Sequence, residues 1–295
     1  MALAAPATWR LRSMTLTTED HTLIMGVINV TPDSFSDGGT FSTAAATLDH
    51  EAAVAHGVLL HEQGADVVDV GGESTRPGSR SIPAAEEVAR IESVVAGLAA
   101  AGVPVSIDTS KPEVAAVAVA AGAEVVNDVT SLRNPEMAEL CAASRVGVVL
   151  MHMRGTPETM QRRPQYEDVV AEVVADLESR SRAAIRSGVA PDRICLDPGI
   201  GFGKTFGDNL SLLRGIDRIR AIGSPVLIGT SRKGFLGEIL EEAGYPVAAA
   251  ERDPATAASV ALAIAHGASI IRVHNVADAL QSARTADAIV RHRAN

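Results

Sequence analysis

Short apolar runs rich in β-branched residues recur between residues 23 and 275, each followed by a polar or glycine-bearing turn and then a longer Ala/Leu/Val-rich segment with helical spacing. The runs are LIMGVIN (23–29), DVVDVGG (66–72), PVSIDT (104–109), EVVNDV (124–129), VGVVLMH (146–152), RICLDPG (193–199), PVLIGTS (225–231) and IIRVHN (270–275). Near-continuous apolar strands of this kind suit a parallel sheet covered on both faces. Segments such as 45–63, 84–101, 112–121, 166–187, 254–266 and 276–292 read as the intervening helices. Pro112 stands near a helix start, where its missing N–H costs nothing. Gly64, Gly102, Gly122, Gly188 and Gly267 follow last helical turns, where a left-handed cap suits glycine. About eight β-α units predict an α/β fold, a (β/α)8 TIM barrel, with an open doubly wound sheet as the alternative. Residues 23–295 are read as one barrel domain, and 1–22 as a short N-terminal extension whose WRLRSMTL could form a strand or hairpin under the barrel's lower end.

In a barrel the chemistry collects where the strands end, because the βα loops converge there around one axis. The polar residues at those ends are Asn29, Asp69 with Glu73, Asp108, Asn127 with Asp128, His152, Asp197, Ser231 with Arg232 and Lys233, and Arg272 with His274. Turn formation alone accounts for Asn, Asp and Ser in such places. It does not account for Lys233, Arg272 and His274. Asp108 and Asn127 lie inside runs that should be buried, where an unpaired carboxylate or amide is expensive. A ligand rich in donors is one possible partner, and a satisfied core network the other. Two long polar loops, NVTPDSFSDGG (29–39) and GGESTRPGS (71–79), lie where substrate closure and water exclusion usually reside.

Bulk properties narrow the class. The formal net charge of −10 argues against general affinity for nucleic acid or anionic membranes, and makes a cationic cluster stand out from its background. Cys141 and Cys195 are far apart and without Cys-x-x-Cys spacing, as expected of reduced thiols in a cytoplasmic protein. No segment approaches the ~20 apolar residues of a membrane span, so a soluble protein is expected. The segment DPGIGFGKT (197–205) resembles nucleotide loops only superficially. A Walker loop needs glycine where Pro198 stands, and the dinucleotide pattern fails because its third glycine comes one residue early. The histidines show no compact metal-ligand cluster.

Eight blocks, in order, resemble the dihydropteroate synthase family. They are MGVINVTPDSFSDGG (25–39), DVVDVGGESTRPG (66–78), SIDTSKPEV (106–114), VVNDV (125–129), LMHMRGTPETMQ (150–161), LDPGIGFGKT (196–205), GTSRK (229–233) and IIRVH (270–274). The resemblance implies condensation of 7,8-dihydropterin-6-ylmethyl diphosphate with 4-aminobenzoate by a dissociative substitution assisted by Mg²⁺, in a homodimer. It also implies roles for residues. Asp108, Asn127, Asp197 and Lys233 would hold the pterin, with Met151 on the pocket wall. Asn29, Arg272 and His274 would bind the diphosphate, Asn29 through or beside Mg²⁺. Phe35, Thr75, Arg76, Pro77, Phe202 and Ser231 would form the aminobenzoate pocket. Asp108, Lys233, Arg272 and His274 would carry the catalysis, while Asp69, Glu73, Asp128 and His152 would support it. Asn275 departs from the family's usual aspartate. Two readings remain as alternatives: another pterin-binding barrel, such as a methyltetrahydrofolate methyltransferase, and a non-catalytic pterin-binding paralogue.

Overall fold

The computed structural model of the chain describes residues 8–31, 49–74, 78–79, 81–156, 158–160 and 165–291. A two-stranded antiparallel hairpin, β1 (Thr8–Arg10) and β2 (Thr15–Thr17), leads into eight parallel strands. These are β3 (Leu23–Asn29), β4 (Val67–Gly71), β5 (Val105–Asp108), β6 (Val125–Asp128), β7 (Gly147–Met151), β8 (Ile194–Asp197), β9 (Leu227–Ile228) and β10 (Ile270–Val273). Their order, β8-β7-β6-β5-β4-β3-β10-β9, closes through a parallel bridge between Leu196 and Val226 into a barrel. The helices between them include α1 (His50–Glu62), α2 (Ala84–Ala100), α3 (Pro112–Ala120), α4 (Pro135–Ser144) and α5 (Val169–Arg186). The second half carries α6 (Phe206–Arg214), α7 (Ile216–Arg220), α8 (Gly234–Glu242), α9 (Asp253–Ala265) and α10 (Val276–Arg291). This is the (β/α)8 architecture that the alternation of patterns predicts.

The apolar runs have a period of two that their composition hides. Ile24, Val68, Ile107, Val126, Val148, Leu196, Ile228 and Ile271 face outward and form one core with the helices. Their neighbours Met25, Val67, Val125, Val149, Cys195, Leu227 and Ile270 face inward and pack with Trp9 and Leu11 of the hairpin. The lower interior is therefore an apolar plug, whereas the next inward positions, such as Asp69, Asp108, Asn127, Asp197 and Arg272, are polar. Strand alternation thus sends one row of side chains to the helices and the other up the axis toward the mouth.

The hairpin seals the bottom of this plug. Trp9 is fully buried, and its indole N–H donates to the Arg193 carbonyl at 2.9 Å. Leu11 packs over Gly147, where an added Cβ would lie 3.0 Å from the leucine. Trp9→Ala should cost about 3–5 kcal/mol, the usual loss for truncating a buried aromatic. Urea unfolding measures this. Because Trp9 lies at the opposite end from the mouth, kcat/KM well below the unfolding midpoint should stay at its wild-type value.

Candidate active site

Parallel pairing sets the upper interior residues side by side, with Gly71 beside Asp108 and Asp108 beside Asn127. Arg272, from β10, reaches across to this group. Its Nε donates to Asp69 Oδ2 at 2.7 Å, and an Nη donates to Asp108 Oδ2 at 2.9 Å. The Asn127 amide donates to the same Asp69 oxygen at 3.0 Å. Asp69, wholly buried, thus orients both the guanidinium and the amide. Two carboxylates face one cation here. Burial pushes the Asp108 carboxyl up to about 7, against the pull of Arg272 and with the help of Asp69. Burial opposes the charge on Arg272, but Asp69 and Asp108 outweigh it and raise the guanidinium's pKa. The second carboxylate oxygens of Asp69 and Asp108 are buried without a hydrogen-bond partner among the described residues. Buried acceptors left in this state are uncommon.

Across the mouth, Asp197 ends β8 and Lys233 follows β9. Asp197 Oδ1 accepts from the Gly199 N–H at 2.7 Å, and burial raises its pKa despite that bond and the nearby Lys233. Lys233 donates to the Ile200 carbonyl at 2.6 Å, and its ammonium lies 4.1 Å from the centre of the Phe202 ring. Burial lowers the lysine to about 8, with Asp197 opposing the shift. Met151 belongs to an apolar cluster with Val129, Met153 and Met160, against which Phe202 packs. The residues that the resemblance assigns to the pterin thus fall into two polar groups, Asp108 with Asn127 and Asp197 with Lys233, while Met151 belongs to the apolar cluster.

Ser231 and His274 meet as well, with Ser231 Oγ 2.9 Å from His274 Nδ1 and accepting from the His274 N–H at 3.2 Å. Behind them, Arg232, in a left-handed conformation, grips Asp253 through two bonds of 2.8 Å. Asn275 donates to Asp253 and to Asp278, so the departure from aspartate is absorbed in a helix-start network. Asn29 stands at the last position of β3, beside Gly71. Phe35, Thr75, Arg76 and Pro77 lie outside the described residues. Glu73 accepts from Lys111 at 2.6 Å, and Asp128 accepts from Thr130 and Leu132 to fix the turn after β6. Lys204, to which the sequence reading assigned no role, is buried beside His152. Its position inside a glycine-rich loop drew attention only to nucleotide motifs.

Fold and site together define a parallel (β/α)8 barrel whose ionisable side chains gather at the C-terminal mouth around an apolar wall. The profile of the family described as "Pterin binding enzyme" matches residues 25–274. The dihydropteroate synthase of Neisseria meningitidis serogroup B is 46% identical over 89% of this chain and 92% of its own length. That of Escherichia coli K12 is 40% identical over 93% of this chain and 94% of its own. A structure of the Xanthomonas albilineans dihydropteroate synthase with 4-aminobenzoic acid superposes with a TM-score of 0.87 at 42% identity, covering 98% of this chain and 100% of that one. The chain belongs to the dihydropteroate synthase family of pterin-binding enzymes.

Proposed function

We propose that the chain is a transferase that joins 7,8-dihydropterin-6-ylmethyl diphosphate to 4-aminobenzoate, forming 7,8-dihydropteroate and diphosphate for folate synthesis. The observation that carries this reading is the Arg272 guanidinium held between the Asp69 and Asp108 carboxylates at the mouth of the barrel. In this reading the carboxylates would face the pterin methylene as it becomes positive, and the guanidinium would face the leaving group. The bound relative with 4-aminobenzoic acid supports the choice of amine.

In this mechanism the bond from the pterin methylene to the diphosphate oxygen breaks first, its electron pair leaving with the diphosphate. The amine nitrogen then bonds to the methylene and gives up a proton to solvent or to the departing phosphate. Asp197 would accept from the guanidine-like edge of the pterin, a geometry a carboxylate meets with two bonds. Lys233 would donate to the ring carbonyl, and Asn127, held by Asp69, would present its amide to the ring. Arg272 and His274 would bind the diphosphate, the latter oriented by Ser231. Phe202 and Ser231 would line the amine pocket with residues of the two long loops.

The donor set bears on Mg²⁺. Among the described residues no group of three or more His, Cys, Asp or Glu side chains is arranged to hold a metal ion. One neutral amide oxygen, from Asn29, fits an ion that keeps water and phosphate as most of its ligands. Once bound there with the diphosphate, Mg²⁺ would neutralise charge on the leaving group. Exposed apolar side chains on the outer helices, Leu262 on α9 and Ile289 on α10, support a homodimer joined through that surface. Two buried free thiols support a reducing, cytoplasmic setting.

Mixing the purified chain with both substrates and Mg²⁺ should release diphosphate and dihydropteroate in equal amounts, and chelation of the metal should suppress both. Pterin binding without any product would instead identify a non-catalytic paralogue. A methyltetrahydrofolate methyltransferase would have no diphosphate to release, so its substrates alone would be turned over.

A further inference from the structure

Lys204 is buried with no ion-pair partner among the described residues, and burial lowers its pKa to about 7 against the pull of Asp197. Its Nζ instead meets three uncharged acceptors: His152 Nδ1 at 2.9 Å, the His152 carbonyl at 3.1 Å and the Phe202 carbonyl at 3.0 Å. In its protonated form the head group has three donors for these three acceptors. The acceptors come from two places. His152 follows the end of β7, whereas Phe202 belongs to the turn that follows β8 and begins at Asp197. The same His152 carbonyl is the atom against which Gly199 packs, and the His152 N–H donates to the Asp197 carbonyl at 2.9 Å. From the other side, the Tyr166 hydroxyl donates to the Gly203 carbonyl at 2.9 Å.

We propose that Lys204, with His152 as its acceptor, is a positioning residue for the synthase reaction: it ties the turn carrying Asp197 and Phe202 to the neighbouring strand end. The assignment rests on the function proposed above. Neither side chain need touch a substrate. Phe202 lies against the Lys233 ammonium, and Asp197 is the first residue of the tied turn, so loss of the tie misplaces both walls of the site. The ring can serve as an acceptor only when neutral. Burial together with Lys204 and Arg154 lowers His152 to about 3, so the ring is neutral at neutral pH, and in its Nε2–H tautomer Nδ1 accepts from Lys204.

Lys204→Met keeps the stem of the side chain and strands three acceptors. Initial rates with each substrate varied should show KM rising about tenfold for both, with kcat changed by less than about threefold, because binding geometry is lost before chemistry. A purely structural role would lower the unfolding midpoint and leave both constants of the folded enzyme alone. His152→Leu removes one acceptor and should reproduce part of the rise in KM. His152→Asn, which keeps an acceptor where Nδ1 stands, should restore it. This second pair decides the matter if Lys204→Met does not fold. A folded Lys204→Met with wild-type KM values overturns the assignment, and so do Leu and Asn variants of His152 that cannot be told apart. A wild-type chain that releases no diphosphate overturns the synthase reading itself, which separates the two failures.

Discussion

Replacing Asp108 by asparagine is expected to lower kcat/KM by about 10²–10³, the usual loss when one preorganised electrostatic partner of a transition state is removed. Asparagine has the same shape and can still accept from Arg272, so the loss would report the charge proposed to face the pterin methylene rather than a cavity. Steady-state rates on the folded variant measure it, and turnover near the wild-type level would sink the assignment. The pH dependence has a definite sign. Asp108 is raised to about 7, chiefly by burial, and the proposed mechanism uses its ionised form. The wild-type kcat/KM should therefore rise with pH on a limb near neutrality instead of near the ordinary carboxylate range, since this ratio reports groups of the free enzyme. Asp108→Asn should lack that limb. Stability moves the other way. Between the unfolded carboxyl's pKa of about 4 and the folded value, the native state holds a proton that the unfolded chain has lost, so wild-type stability from this group falls as pH rises through the window.

Gly199→Ala is expected to be the most damaging single methyl in the turn that follows β8. Gly199 has φ of 67°, and a Cβ built there would lie 2.1 Å from the His152 carbonyl oxygen. Neither chain can yield cheaply, because that carbonyl also accepts from Lys204 and lies beside the Asp197 carboxylate's own turn. Strain at a left-handed residue together with a backbone clash places the cost at about 4 kcal/mol or more. Gly207, inside α6, supplies the contrast: its added Cβ would meet nothing within 4 Å. Gly207→Ala should stabilise the chain by up to about 1 kcal/mol through helix propensity. Urea midpoints for the two variants test both statements. Equal midpoints would show that the turn is not held as described.

The pattern of the chain made some of this legible. LIMGVIN coincides with β3 because that run is buried on both faces and ends on a polar residue at the mouth. PVLIGTS shrinks to Leu227–Ile228, because Thr230 accepts from the Lys233 N–H and turns the chain before a longer strand can form. Helix α4 is not among the segments named as helices from the sequence: it starts at Asn134 and Pro135, and Arg145 supplies its left-handed cap where glycine is usual. At the site, a charged residue inside an apolar run was enough to single out Asp108 and Arg272. Their pairing was not visible, since Arg272 lies 203 positions from Asp69 and meets it only when the sheet closes. Lys204 was hidden for a different reason: its partners are mostly backbone carbonyls, and those leave no trace in the residue types nearby.

Closure of the barrel has a consequence for the site. β8 and β9 meet through a single bridge, Leu196 with Val226, whereas the other neighbouring strands share from two to five aligned pairs. Asp197 lies on one side of that seam and Lys233 on the other. Any transient parting of the staves there changes the gap between these two charged groups before it disturbs the rest of the mouth. A heterocycle gripped by both would act as a missing rivet, so occupancy of the site and integrity of the barrel wall reinforce one another through mass action.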